Sequence, residues 1–396
     1  MKNKKIIIIC IPIVLLILVL SFAGYKYFKN DNKNNGVQEG KHATKMIFDN
    51  VLDAGTYKKV DYNTANKFNE KLYDNWGGCT AIAKNIGDNT IIGRNMDLTV
   101  SDKSAYIFKT NVKDKYKTIN LAYTYRDYAP NYSDALNGLE DEFYNVLPFI
   151  SDDVLNEKGL YIEVNMRNGE EDKFSCSGTN PNSSERVYMF SLPIYIGLNC
   201  ATVEEALEYV KTLNIYSKKG YWNYAFMIAD STGRYGILEF AQNKILWNEG
   251  QNAQANFYID EEMSKINELK TGIGRYNYVR EHVNEVNTKD DMFNMMDKVK
   301  YSEAYVDNPN FDVRSEFVGA KENWTYDYVM DDNNQEEINE YLNKIREFNK
   351  TATREDKKQY EAWESSFTEV IDIKEKTIKV RFYEDNNKIY TLSFND

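Results

Sequence analysis

Residues 77–97 read GGCTAIAKNIGDNTIIGRNMD, and the reading of this stretch decides the fold. CTAIAKN and TIIGRNMD are short runs rich in Ile and Thr, separated by IGDN, so two strands joined by a turn are expected. Cys79 directly follows two glycines at the head of the first strand. By residue type alone it is a small buried hydrophobe that opens a strand. A catalytic thiol, in contrast, needs a base, and the usual one is histidine. The chain has two histidines, His42 and His282. The first lies in a polar segment and the second on a charged helical face, so neither is well placed. The alternative base is the nucleophile's own nitrogen. If the peptide bond between Gly78 and Cys79 is cut, the new α-amine, with a reference pKa of roughly 7.7–8.0, can accept the thiol proton. The glycines would let the backbone adopt the geometry such a cleavage requires.

Outward from this stretch the strand pattern continues. AYIFKT and TINLAYTY follow, and NEKGLYIEVNMR is a turn leading into another strand. NYAFMIAD, RYGILEF and KILWNE form an antiparallel meander, and SSFTEVIDI, TIKVRFYE and KIYTLSF close the chain. Helices are expected between these groups: Val187–Asn199; Val203–Leu213, capped by Thr202 with Glu205 three residues on; Ile273–Val286; and Asp291–Val299. A charged, solvated helix is expected over 336–361. Apolar residues at helical spacing predict two short helices within Ala43–Asp74. Antiparallel groups with helices between them indicate an α+β protein with helix-covered sheets, not a doubly wound parallel sheet. GIGRY lacks the strand–turn context of a dinucleotide loop.

The N-terminus reads MKNKKIIIICIPIVLLILVLSFAGYKYFKN. Lys2, Lys4 and Lys5 precede an uncharged apolar run from Ile6 to Ala23, close to the roughly 20 residues that span a bilayer core. The lysines should stay cytoplasmic and leave the rest of the chain outside. Ser21-Phe22-Ala23 also fits a signal-peptidase site, so anchor and cleaved signal both stand, and both export the protein. Residues 30–42 are a polar linker.

With 42% hydrophobic residues the chain can bury a core, and a net charge of −12 argues against a nucleic-acid partner. Outside the apolar run the cysteines are Cys79, Cys176 and Cys200, too few for a disulfide framework. A Cys176–Cys200 pair and a disulfide-free protein are both open. Cys and His show no metal-ligand spacing, and no cofactor is expected.

GGCT, a strand, a turn and then GRNMD resemble the opening of the choloylglycine hydrolase and acid-ceramidase-like group of N-terminal-nucleophile (Ntn) hydrolases. NEKGLYIEVN, TVEEALEYVKTLNI, NYAFMIADSTGRYGILEF, AQANFYI and GIGRYNYVRE agree in order. The resemblance runs from Cys79 to the C-terminus and is poor from about 303 to 361. It implies an αββα four-layer sandwich over 79–396 and hydrolysis of the linear, non-peptide C–N bond of a small N-acyl amide. By the same resemblance, Cys79 is the nucleophile and Arg94 and Asp97 flank it. Asn256 helps form the oxyanion hole, and Arg275 is a further active-site arginine. Asn165 matches a second asparagine only if a one-residue gap is allowed. Bile-salt hydrolases of this group usually begin at the cysteine, whereas 78 residues precede Cys79 here. The acyltransferase and acid-ceramidase branches carry such a propeptide, here 43–78, ending in Gly. An acyltransferase of the same fold and an inactive membrane-tethered surface protein are the competing readings. Oligomeric state is not legible.

Overall fold

In the computed structural model the residues described are 45–53, 77–99, 103–112, 114–125, 151–167, 171–217, 223–267, 270–300, 363–382 and 389–394, with single positions between 336 and 351. Two sheets carry the chain. The first has eight strands in the order β1 (Lys45–Asp53), β4 (Lys103–Asn111), β5 (Thr118–Tyr125), β6 (Asp153–Asn156), β7 (Tyr161–Arg167), β10 (Asn223–Ala229), β11 (Tyr235–Ala241) and β12 (Lys244–Glu249). The second has six, in the order β13 (Ala253–Gln254), β2 (Gly77–Ile86), β3 (Asn89–Thr99), β14 (Trp363–Asp372), β15 (Thr377–Phe382) and β16 (Tyr390–Leu392). A short parallel pair, β8 (Arg186–Tyr188) and β9 (Asn214–Tyr216), stands apart. The helices are α1 (Glu171–Phe174), α2 (Leu192–Asn199), α3 (Val203–Thr212), α4 (Glu261–Ile266), α5 (Ile273–His282) and α6 (Lys289–Lys298).

The opening stretch folds as a hairpin, with Gly77 opposite Leu98 and Ile86 opposite Asn89. Gly87, first in the turn, has φ 63°, which glycine adopts without steric cost. Gly77 and Gly78 are ladder residues of β2, so the backbone freedom expected of them is not spent on a turn.

Three apolar clusters define the layers. Between the sheets lie Ala81, Ala83, Ile92 and Met96 from one, and Ile119, Leu121, Tyr161 and Met227 from the other. On the outer side of the eight-stranded sheet, Ile162, Val164 and Met166 pack with Leu192, Ile196, Val203 and Val210 of α2 and α3. On the outer side of the six-stranded sheet, Ile82 and Ile91 pack with Val279 of α5 and Met292 and Met296 of α6. The order is therefore helices, sheet, sheet, helices. Each fully buried Ile or Leu contributes roughly 1.5–3 kcal/mol relative to an exposed one. Covering both faces of both sheets is what holds them together.

Most expected elements are present, and their ends have local causes. Thr202 caps α3 by accepting from Glu205 N at 3.2 Å, and Glu205 Oε2 accepts from Ala201 N at 2.6 Å, a reciprocal capping pair. The helix expected over Val187–Asn199 starts only at Leu192. Pro193 is tolerated in the first turn of a helix, whereas an earlier start would place it inside and cost a hydrogen bond. The helix expected near Ala43 is instead the strand β1 over Lys45–Asp53, parallel to β4. An open sheet edge offered backbone partners that outweighed the helical spacing. Residues 54–76 lie outside those described. Glu336, Glu340, Asn343, Glu347 and Thr351 are helical and exposed. Cys176 and Cys200 are both buried free thiols, so the pair left open between them does not form. Among the described residues no helix is long and apolar enough to cross a membrane, and the Ile6–Ala23 run lies outside them.

Candidate active site

Cys79 sits near the start of β2 with its side chain between the sheets, 3% exposed, its Sγ 3.5 Å from Met96 Sδ. Burial pushes its thiol up to about 12. Arg94 pulls it back, the Asp97 and Glu163 carboxylates push it further, and a hydrogen bond from the Asp97 backbone favours the thiolate. In the uncut chain the thiol is therefore neutral.

Its backbone nitrogen is held as firmly as its sulfur. Alongside β2, β13 pairs only as far as Gln254 with Ala81, and the chain then turns away. Asn256, two residues later, sends its side chain back, and Cys79 N–H donates to Asn256 Oδ1 at 3.0 Å. Asn256 Nδ2 donates to Asn165 Oδ1 and to Met166 O, each at 3.0 Å. From the opposite face, α5 supplies Arg275. Its Nη2 reaches Asn256 Oδ1 at 3.3 Å, and its Nη1 donates to Thr80 Oγ1 at 2.6 Å and Asp97 Oδ2 at 2.9 Å. Ser365 Oγ donates to the other Asp97 oxygen. All of these side chains are buried.

The structure thus brings Cys79, Asp97, Asn256, Arg275 and Asn165 together around one peptide nitrogen. Asn165, which required a one-residue gap in the sequence match, is joined directly to Asn256. It differs from its neighbour in one respect: its Nδ2 is fully buried and has no hydrogen-bond partner among the described residues. Asn256 has both side-chain N–H bonds engaged, so the amide donor left open is that of Asn165.

Arg94, from β3, also lies between the sheets. Its guanidinium touches Asp153, its Nε is 2.9 Å from Glu163 Oε2, and its Nη1 is 4.0 Å from Glu369 Oε1. Nη2 donates to Val164 O at 2.7 Å. Tyr161 Oη is 2.9 Å from Asp153 Oδ1 and 2.8 Å from Glu369 Oε1. The exposed ion pair that a strand-end arginine suggests is absent here; this is a fully buried cation among three carboxyl groups. Glu163 also accepts from Gln254, which in turn accepts from Arg167 Nη2 at 2.8 Å. Arg167 binds the carbonyl of Ala255, next to Asn256.

Asp153, Tyr161, Glu163, Arg167, Gln254, Ser365 and Glu369 carry no motif. The available signal was the alternation in YIEVNMR, which puts Tyr161, Glu163, Asn165 and Arg167 on one strand face. Such a polar face reads as solvated until a second sheet covers it. His282 is on the surface, its Nδ1 2.7 Å from Glu285. His42 lies outside the described residues. Among those residues no cluster of His, Cys, Asp and Glu has the arrangement to hold a metal.

Residues 151–312 match the family model of acyl-coenzyme A:6-aminopenicillanic acid acyl-transferase, in agreement with the resemblance read from the sequence. No curated protein sequence matches the chain. Solved structures similar to it include a mutant of conjugated bile acid hydrolase from Clostridium perfringens, at 14% identity and a TM-score of 0.46 over 80% of this chain and 92% of that one. Penicillin V acylase from Agrobacterium tumefaciens is 15% identical, with a TM-score of 0.43 over 80% of this chain and 87% of that one.

Proposed function

We propose that this chain works as its family resemblance implies: an exported cysteine amide hydrolase of the Ntn type, cut between Gly78 and Cys79 and acting on N-acyl amides. The observation that carries this reading is the hold on Cys79 N. A backbone nitrogen beside a thiol is gripped by a side-chain amide 177 residues away, which Arg275 and Asp97 brace in turn. A structural cysteine has no use for that arrangement.

In the uncut chain the Cys79 sulfur attacks the Gly78 carbonyl carbon. The thiol proton passes to the Cys79 nitrogen, which leaves as an amine as the C–N bond breaks, and water opens the resulting thioester to free the Gly78 carboxylate. The amine, still held by Asn256 Oδ1, then accepts the thiol proton. The thiolate attacks a substrate carbonyl, and the open Nδ2 of Asn165 donates to the developing oxyanion. The leaving amine takes the proton back from the ammonium. Water, deprotonated by the same amine, releases the acid from Cys79.

Asn165→Ala should lower kcat by roughly 10²–10³, the usual effect of losing one oxyanion donor, while the precursor is still cut. Asn256→Ala should lower kcat by at least as much and also slow processing, because it releases the Cys79 nitrogen. Single-turnover assays beside denaturing gels separate the two. Equal processing defects in both variants would contradict these roles.

A second reading comes from the matched family, which is named for an acyl-transferase. In that case the acyl group on Cys79 passes to an amine instead of water. Wild type and Cys79→Ser assayed on a panel of N-acyl amides, with and without added amines, decide between hydrolysis, transfer and an inactive surface protein. Export rests on the lysine-flanked run Ile6–Ala23. Protease added to intact protoplasts should digest the catalytic domain, and a protected, soluble cytoplasmic domain would overturn export.

A further inference from the structure

The carboxyl cluster around Arg94 does more than neutralise it. Tyr161 Oη lies within hydrogen-bond distance of both Asp153 Oδ1 and Glu369 Oε1. A hydroxyl has one hydrogen, so it can donate to only one of them. The other contact must be made by a carboxyl group that is itself a donor. The surroundings say which one. Both Asp153 oxygens are engaged, one by Tyr161 and one by Arg94 Nη1. Glu163 Oε1 accepts from Gln254, and its Oε2, like Arg94 Nε, makes no aligned hydrogen bond among the described residues but lies 2.9 Å from that Nε as an ion pair. Glu369 is 4.0 Å from Arg94, and its Oε2 has no hydrogen-bond partner among the described residues. Asp153 and Glu369 thus share one hydroxyl, and of the two only Asp153 is in close contact with Arg94.

We propose that Glu369 holds a proton at neutral pH, donated through Tyr161 to Asp153, and that this proton keeps Arg94 an effective cationic partner of the Cys79 thiolate. With Glu369 neutral, Arg94 faces two carboxylates, Asp153 from β6 and Glu163 from β7. With Glu369 ionised it faces three, and the cluster turns against a further negative charge at sulfur. The other groups facing the cluster are Tyr161 on β7, Cys79 on β2 and Asp152 beside β6. Burial raises the Glu369 carboxyl, Arg94 and hydrogen bonding with Asp153 and Tyr161 lower it, and the balance is upward. Burial raises Asp153 well above the ordinary carboxyl range and Glu163 upward, against the pull of Arg94. Burial alone would therefore favour the proton on Asp153; the close contact of Arg94 with Asp153 is what assigns it to Glu369. Glu369 is a positioning residue here, acting through Arg94.

The proton itself can be read without any substrate. Infrared spectra of the wild type at neutral pH should contain the carbonyl band of a neutral buried carboxyl that shifts on deuteration, and Glu369→Gln should lack it. No such band in the wild type, which needs no variant to fold, overturns the assignment, and so does a band undiminished in Glu369→Gln. Stability carries the same sign. An acid whose folded pKa is raised contributes stability that is full below the ordinary carboxyl range, about 4.3, and is lost as pH rises through the folded value. The urea midpoint of the wild type should therefore fall towards alkaline pH more steeply than that of Glu369→Gln. Equal slopes count against the assignment.

The link to Cys79 rests on the hydrolase reading. Wild-type turnover should fall on the alkaline side as Glu369 ionises, and Glu369→Gln, whose amide mimics the neutral acid, should lose that fall. An identical alkaline fall in both refutes the link. An enzyme silent on every amide would count against the hydrolase reading, while the infrared band would still decide the proton.

Discussion

Cys79→Ala should leave the chain whole and inactive. The wild type should run as two fragments on a denaturing gel, the larger starting at Cys79 by N-terminal sequencing. An internal cysteine has an amide nitrogen, which is no base, and here that nitrogen donates its hydrogen to Asn256 Oδ1. Burial holds the thiol of the uncut chain at about 12, so the precursor has neither a resting thiolate nor a free amine to serve as the base for turnover. Under the proposed mechanism, cleavage would supply that base on the same residue as the nucleophile. Loss of the thiol therefore removes processing and turnover together, the latter by a factor on the order of 10⁶, as for other catalytic nucleophiles. The smaller fragment should stay bound after cleavage, because β1 remains hydrogen-bonded to β4 in the eight-stranded sheet. An intact wild type with full amidase activity would mean that Cys79 works with another base.

Arg94→Met should cost about 3–5 kcal/mol of stability, the range for breaking a buried ion network by removing one partner. That is a large share of the roughly 5–15 kcal/mol by which folded domains are stable. Methionine fills a similar volume but leaves Asp153, Glu163 and Glu369 without their shared cation in a fully buried layer. Val164 O also loses its donor. Arg94→Lys keeps the charge without the planar fork that reaches three partners at once, so it should fall between the two. Urea unfolding at neutral pH is the measurement. An Arg94→Met midpoint equal to that of the wild type would mean that the cluster is hydrated and the ion network is not a buried one.

The sequence alone carried the local half of this protein. Alternating β-branched runs and their turns marked the β2–β3 hairpin and the strands that follow. Thr202 and Glu205 marked the start of α3. The lack of a well-placed histidine directed attention to the nitrogen of Cys79. Motif order singled out Arg94, Asp97, Asn256 and Arg275. These signals lie within a few residues of what they determine, so they survive in a one-dimensional string.

Only the tertiary structure decided what covers each face. YIEVNMR alternates in the same way whether its polar side meets water or a second sheet. Packing against the six-stranded sheet turned Glu163, Asn165 and Arg167 into buried groups that must find partners or functions. Those partners are remote in sequence: Glu369 meets Tyr161 across 208 positions, and Asn256 meets Cys79 across 177. Pairing with β4 made β1 an edge strand, and the packing left the open donor on Asn165. A buried polar atom takes whatever partner the fold brings to it. Periodicity along the chain names the face but not the neighbour, and only the packed sheets supply the neighbour.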